Sequence, residues 1–259
     1  MCAIIEDMNT PIISIDHISK TYHPKRSPDV VALKEVSLSI HAGAFFGLIG
    51  PNGAGKSTLI KILTGLCIPD TGTVSVGGND VINDYQAARQ MIGVSLQEHA
   101  FDPYLLVEEE LYITGGYYGK TKEYLKKKVP ELLEQFNLAD KKRTFTDKLS
   151  GGMKRRLAIT KALIHAPKII ILDEPTAGLD VALRHELWDI LETLNKKGIT
   201  ILLTTHYLEE VEHLCDEIAI INKGSIIYQG DNKKKGLTEN SELEQLFMEM
   251  VDQHESDPI

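Results

Sequence analysis

Residues 50–58 read G-P-N-G-A-G-K-S-T, the spacing G-x-x-x-x-G-K-[ST] of a loop that cradles phosphates. Each residue type answers a need of a polyphosphate. Gly50, Gly53 and Gly55 lack a Cβ and can take left-handed dihedrals, so the backbone can wrap close around an anion. Pro51, Asn52 and Ala54 fill the turns between them, and the amides of such a loop point inward as an anion nest. Lys56 adds a mobile positive charge for the outer phosphates. The Ser57 hydroxyl is placed to ligate Mg²⁺, and Thr58 opens the next helix. The spacing predicts binding of a nucleoside triphosphate.

Three further candidates share a placement with this loop. Asp173 and Glu174 close the apolar run Ile169-Ile170-Ile171-Leu172, Gln97 ends Ile92-Gly93-Val94-Ser95-Leu96, and His206 follows Ile201-Leu202-Leu203-Thr204-Thr205. A strand-end carboxylate such as Asp173 can hold Mg²⁺, and a second carboxylate beside it, Glu174, can orient or deprotonate an attacking water. The Gln97 amide can touch both metal and water, and His206 can donate a hydrogen bond to a terminal phosphate. The plain alternatives are a solvent-facing acidic pair, a polar strand end and a structural histidine. For the acidic pair, the upstream phosphate loop and the turn at Pro175-Thr176 favour the chemical reading. Ligands of open α/β sheets bind at the carboxyl ends of the strands, so these distant sites are expected to converge on one rim.

The elements that must position them are legible as runs and stripes. Phe45-Phe46-Gly47-Leu48-Ile49 reads as a buried strand entering the loop, and Thr58-Leu59-Ile60-Lys61-Ile62-Leu63 as a helix whose positive end faces the phosphates. Strands are predicted at residues 12–18, 30–33, 36–40, 73–76, 92–96, 168–172, 199–203, 217–221 and 225–228, with turns or loops between them. The runs at 168–172 and 199–203 are apolar on both faces, as in a parallel sheet. Leu125, Val129, Leu132, Leu133 and Phe136 recur at helical spacing, and residues from about 98 to 166 read as a mostly helical insert. A second stripe, Leu183, Leu187, Ile190, Leu191 and Leu194, ends at Lys196-Lys197-Gly198, with Trp188 expected to border it. Residues 207–214 read as a further helix, and Leu243, Leu246, Phe247 and Met250 form a stripe in a short tail over 233–259.

With 259 residues the chain can bury a full core as one large domain carrying an inserted subdomain. Its formal charge of −9 repels duplex nucleic acid, and Lys126-Lys127-Lys128 and Lys233-Lys234-Lys235 are too short to make a basic stripe, so no direct nucleic-acid binding is expected. Cys2, Cys67 and Cys215 show neither metal spacing nor a disulfide framework, which suits a reducing cytosol. No secretion signal is visible at the N-terminus, and no apolar run approaches the roughly 20 residues that cross a bilayer.

The stretch Leu149-Ser150-Gly151-Gly152-Met153-Lys154-Arg155-Arg156 resembles the signature sequence of ATP-binding cassette (ABC) transporter proteins. The resemblance extends through residues 169–174, Pro175-Thr176-Ala177-Gly178-Leu179-Asp180 and Thr204-Thr205-His206, covering the chain from Tyr22 to about Gln229. It implies an α/β fold: a P-loop NTPase (RecA-like) parallel-sheet core, an N-terminal antiparallel β subdomain and a helical subdomain bearing the signature. The nucleotide-binding domain would span 11–232. Ser150 is a good N-cap, and Gly151-Gly152 leaves helix-terminal amides open to a second anion.

In the family this terminus faces the loop of another copy, so two ATP molecules lie between two domains. The resemblance then implies that Tyr22 stacks on adenine, Ser57, Gln97 and Asp173 bind Mg²⁺, Glu174 is the general base and His206 senses the γ-phosphate. Gln97 would also relay nucleotide state to a membrane partner. Ser150, Gly151, Gly152 and Met153 would contact ATP of the opposite subunit, and Asp180 would cross the dimer interface. The implied partners are a second copy or a paralogous ATPase and a separate integral membrane permease, at the inner face of the cell membrane.

Met153, Leu96 and Val181 depart from the commonest residues at their positions, which leaves hydrolysis intact. The signature, together with Thr205-His206-Tyr207-Leu208-Glu209-Glu210, resembles the exporter branch that works with ABC-2-type permeases. The tail is too short for the regulatory domain of many importer ATPases. A soluble cassette ATPase acting on ribosomes or DNA would usually carry tandem cassettes, a coiled-coil insertion or basic arms, none of which is seen. A GTP switch would need Asn-Lys-x-Asp, and Asn222-Lys223-Gly224-Ser225 lacks the aspartate.

Overall fold

Two long strands set up the N-terminal sheet, and the phase of their apolar residues shows how. Ile13, Ile15 and Ile18 of β1 (Pro11–Tyr22) are buried, as are Leu33, Val36, Leu38 and Ile40 of β2 (Val30–His41). In each strand the period-two alternation skips once, between Ile15 and Ile18 and between Leu33 and Val36. At the skips His17 and Glu35 take φ of 46° and 45°, the backbone of a β-bulge, which returns the next apolar residue to the inner face. Each bulge is held by a hydroxyl from the other strand: the His17 N–H donates to Ser37 Oγ at 3.0 Å, and the Glu35 N–H to Ser19 Oγ at 3.0 Å.

The computed structural model describes residues 10–97, 101–232, 244–245 and 247–248. After β2 the elements run β3 (Phe45–Ile49), α1 (Lys56–Leu63), β4 (Thr71–Val76), β5 (Asn79–Asp80), α2 (Tyr85–Met91) and β6 (Ile92–Ser95). The helical stretch follows with α3 (Val107–Tyr117), α4 (Lys122–Gln135), two short 3₁₀ turns and α5 (Gly151–Leu163). The chain then returns through β7 (Ile169–Asp173), α6 (Val181–Lys196), β8 (Thr200–Thr205), α7 (Leu208–Leu214), β9 (Glu217–Asn222) and β10 (Ser225–Asp231). The tail stripe at Leu243, Leu246 and Met250 and the run Lys233-Lys234-Lys235 lie outside the described residues, as does the start of the expected insert at Glu98.

The chain divides into two units, residues 1–89 with 200–259, and residues 90–199. In the first, β2, β1, β4 and β5 form an antiparallel sheet in that order. Beside it, β3 pairs in parallel with both β8 and β9, and β10 closes onto β9 as an antiparallel hairpin. All five residues of β3 and all six of β8 are buried, as expected of strands covered on both faces.

In the second unit β6 and β7 pair in parallel, and α5 presses against β6 so closely that a Cβ on Gly93 would lie 2.2 Å from the Ala162 carbonyl oxygen. The α4 stripe of Leu125, Val129, Leu132 and Leu133 is buried, and Phe136 with it. Trp188 does not border the α6 stripe but lies within it, 2% exposed, with Leu187, Leu191 and Leu194. No helix among the described residues is long and apolar enough to cross a membrane.

Candidate functional site

In the first unit the phosphate loop leaves β3 at Ile49 and enters α1 at Lys56. Two of its glycines are required by close backbone approach. A Cβ on Gly50 would lie 2.3 Å from the Ile221 carbonyl oxygen, and one on Gly55, at φ 115°, would lie 2.6 Å from the Ala32 carbonyl oxygen. Gly53 has open space around it and is fixed by its φ of 81° instead. Lys56 is buried, and its ammonium donates to the carbonyls of Gly50 at 2.5 Å and Pro51 at 3.1 Å, so the charge is held over the loop. Ser57 at the first turn of α1 is exposed.

His206 follows β8, which runs beside β3 with Ile49 opposite Thr205, so the loop and the histidine leave adjacent strand ends of the same unit. The His206 ring is exposed and lies 4.1 Å from the Tyr207 ring, and the Tyr207 N–H donates to Thr205 Oγ1 at 3.0 Å. Tyr22 closes β1, 37% exposed. Its hydroxyl contacts Cys67 Sγ at 3.6 Å and lies beside Thr58 of α1. Burial of that hydroxyl is the main cause raising its pKa above the usual tyrosine value. The aromatic face is thus anchored to the helix that the phosphate loop opens.

In the second unit β6 and β7 bring Gln97 and Glu174 together. Ser95 stands opposite Leu172, and two residues further on the Gln97 Nε2 donates to Glu174 Oε2 at 3.2 Å. Asp173 and Glu174 are 9% and 8% exposed, which argues against a solvent-facing acidic pair. Glu174 also takes φ 48°, a left-handed backbone that costs a non-glycine residue about 1–2 kcal/mol and redirects its side chain out of the strand's alternation. The reach of Gln97 to Glu174, across 77 positions of sequence, was not legible in advance.

The signature residues open α5. Ser150 is its N-cap, with Oγ accepting from the Met153 N–H at 3.3 Å. A Cβ on Gly152 would meet Leu183 Cδ1 at 3.0 Å and Leu179 Cδ2 at 3.6 Å, whereas one on exposed Gly151 would meet nothing within 4 Å. Leu183 is also the residue whose N–H is capped by Asp180 Oδ1, at 2.9 Å, at the start of α6. The structure therefore brings the signature glycines to the helix start that Asp180 caps, and gives Asp180 a capping role besides any at an interface.

Ser57, Gln97 and Asp173 would supply a hydroxyl, an amide oxygen and one carboxylate, a hard and weakly charged donor set. Among the described residues no group of three His, Cys, Asp or Glu side chains could hold a metal ion. Such a donor set fits Mg²⁺, which takes few protein oxygens and completes its shell with water and substrate phosphate.

Comparison with known proteins agrees with this chemistry. Residues 33–177 match the family described as ABC transporter. The chain is 41% identical over 222 residues to the Nod factor export ATP-binding protein I of Ralstonia nicotianae, covering 86% of this chain and 68% of that protein. It is 41% identical over 219 residues to the linearmycin resistance ATP-binding protein LnrL of Bacillus subtilis, covering 85% of this chain and 69% of that protein. Among solved structures, a dimeric ATP-binding cassette in a post-hydrolysis state bound to ADP and Pi superposes with a TM-score of 0.77 at 27% identity, over 85% of this chain and 98% of that one. The family match over more than half of the chain, and 41% identity over most of its length to the export ATP-binding protein, show that the chain belongs to the ABC transporter family, as one of its ATP-binding ATPase subunits.

Proposed function

We propose that this subunit drives export through a separate ABC-2-type membrane permease, closing as a dimer with a second copy or a paralogue around two ATP molecules. The observation that carries the catalytic part is Glu174: buried, left-handed and hydrogen-bonded by Gln97. A carboxylate so held is restricted to few rotamers, which is what a base that must meet one water requires. Glu174 accepts the proton of the attacking water, and Gln97 orients the carboxylate through its amide. Residues 50–55 receive the phosphates with backbone amides, Lys56 supplies the charge for the β and γ groups, and Tyr22 stacks on adenine. Mg²⁺, held by Ser57, Gln97 and Asp173, would neutralise charge developing on the phosphate oxygens. His206 donates to the γ-phosphate and so distinguishes ATP from ADP.

The open face at Gly151 supports the dimeric reading, in which Ser150, Gly151, Gly152 and Met153 meet the ATP bound by the other subunit and Asp180 lies at the interface. The names of the relatives, Nod factor export and linearmycin resistance, support export as the direction. The permease would hold the subunit at the cytoplasmic face of the cell membrane. We assign residues 11–232 to the nucleotide-binding domain and 233–259 to a short tail.

The test is Glu174→Gln. The variant is expected to bind ATP within twofold of wild type, to lose at least about 100-fold in turnover, and to accumulate an ATP-stabilised dimer on size-exclusion chromatography. Hydrolysis at the wild-type rate would remove Glu174 from the role of base.

A further inference from the structure

The connection between α1 and β4, residues 64–70, does more than join two elements. It leaves α1 through Gly65 at φ 67°, with the N–H groups of Leu66 and Cys67 both donating to the Lys61 carbonyl at 2.8 and 3.0 Å. Arg89 of α2 holds it from the side, donating to the carbonyls of Thr64 at 3.3 Å and Gly65 at 2.9 Å. The segment then passes along the last residues of β1, where Asp70 makes three consecutive contacts. Its N–H donates to the Ser19 carbonyl at 2.8 Å, its Oδ1 accepts from Lys20 Nζ at 2.7 Å, and its Oδ2 accepts from the Thr21 N–H at 2.7 Å. The next residue is Tyr22, whose hydroxyl contacts Cys67 of the same connection and Thr58 at the start of α1.

We propose that Asp70 is a positioning residue for nucleotide binding: it clamps the end of β1 to the connection that leaves α1, and so fixes the distance and tilt of the Tyr22 ring relative to the phosphate loop. Backbone and side-chain anchors act at opposite ends of the residue. Asp70 fixes the main chain of residues 19–21, and Cys67 holds the Tyr22 hydroxyl beside Thr58. One helix thereby carries the phosphate loop at its N-terminus and sets the platform for the base through its first turn and its exit. A nucleoside triphosphate spanning the two would gain affinity because the platform is already in place, which lowers the ordering cost of binding. The Lys20 ammonium and the Thr21 N–H both hold the Asp70 carboxyl below the usual carboxylate range, so the clamp is ionised at neutral pH.

This inference rests on Tyr22 being the adenine platform, and the experiment separates the two. ATPase kinetics of the full chain are measured for Asp70→Ala, Asp70→Asn, Tyr22→Ala and the Asp70→Ala/Tyr22→Ala pair. Inorganic tripolyphosphate, which has phosphates and no base, is the competitor. Tyr22→Ala is expected to raise the KM for ATP about tenfold, the scale of one lost base–aromatic stack. Asp70→Ala is expected to raise it about fivefold with kcat within about twofold of wild type, and to leave the inhibition constant of tripolyphosphate unchanged. In the double variant KM should rise no further than in Tyr22→Ala alone, because the clamp then has nothing to position.

If Asp70→Ala weakens tripolyphosphate as much as ATP, Asp70 is a structural support of the phosphate loop and the inference fails. If Tyr22→Ala raises KM and Asp70→Ala does not, the inference fails while the platform stands. An unchanged KM in Tyr22→Ala overturns both. Should Asp70→Ala not fold, Asp70→Asn keeps the shape and an acceptor for Thr21 but loses the ion pair. A base-dependent rise of about two- to threefold is then the expected result, and no rise overturns the inference.

Discussion

His165 offers a test of how the signature helix is tied to the strand that carries Gln97. It lies just beyond α5, 2% exposed, with its ring stacked on Tyr118 at 3.7 Å and its Nε2 3.0 Å from the Ile92 carbonyl at the start of β6. A carbonyl only accepts, so Nε2 carries the proton. The buried Nδ1 has no hydrogen-bond partner, so a second proton there would be stranded in an apolar contact. Burial, with a smaller contribution from the Lys120 charge, pushes the pKa down from 6.5 to about 4.

The folded state therefore binds fewer protons than the unfolded chain between these values, and stability rises with pH across that window. The contribution is fully present above pH about 6.5 and lost as pH falls towards 4; at about 1.36 kcal/mol per unit it totals roughly 3 kcal/mol, of which about 2 kcal/mol is lost by pH 5. His165→Gln keeps a donor for Ile92 and does not titrate. Urea unfolding at pH 7.5 and pH 5.0 should then show wild type losing about 2 kcal/mol more than the variant, or about 4–8 °C in melting temperature. Equal losses would show that His165 is not held neutral in the folded state.

The two signature glycines should separate stability from function. Gly151→Ala, with open space for the new methyl, should stabilise the subunit by about 0.5 kcal/mol, and Gly152→Ala should come out near zero because Leu183 must give way. Both should lower ATP-dependent dimerisation and turnover at least about fivefold, read by size-exclusion chromatography and phosphate release; normal turnover in Gly151→Ala would leave that glycine without a role. The pair of buried Glu110 on α3 and Lys161 on α5 holds the helical unit together, so Glu110→Ala should cost about 3 kcal/mol in urea unfolding. The apolar pair Glu110→Leu/Lys161→Met should recover most of that, and no recovery would mean the charges themselves hold the two helices.

What could be read in the sequence was what burial repeats along the chain. The strands β3, β7 and β8 are buried throughout and carry unbroken apolar runs because both faces are covered, and the α4 stripe recurs because one face is. Residues that act through a single distant contact leave no such trace. Asp70 reads as a turn residue in Pro69-Asp70-Thr71-Gly72, and only the fold brings its carboxylate to Thr21 and Lys20. Helix α2 passed unseen because Ala88 is its one buried residue, so Tyr85–Met91 shows no period at all. The left-handed backbone of Glu174 is equally silent, since nothing in the residue type favours it and the surrounding turn imposes it.

The contrast between Gly151 and Gly152 bears on the proposed sharing of the nucleotide site between two subunits. A glycine within a helix costs stability relative to alanine and survives where something else needs the missing Cβ. For Gly152 that something is inside the chain: Leu179 and Leu183 close over the position. For Gly151 the described residues offer no such reason, because a side chain there would extend into open space among them. Ser150 caps the Met153 N–H, while the first amides of α5 have no partner to find within the helix itself. An absent Cβ with no internal cause, at a helix end that presents backbone donors, is the surface expected where a phosphate approaches from another molecule. The phosphate loop on β3 can grip ATP by itself; in the proposed dimer, the open position at Gly151 is where ATP held by the other subunit would approach.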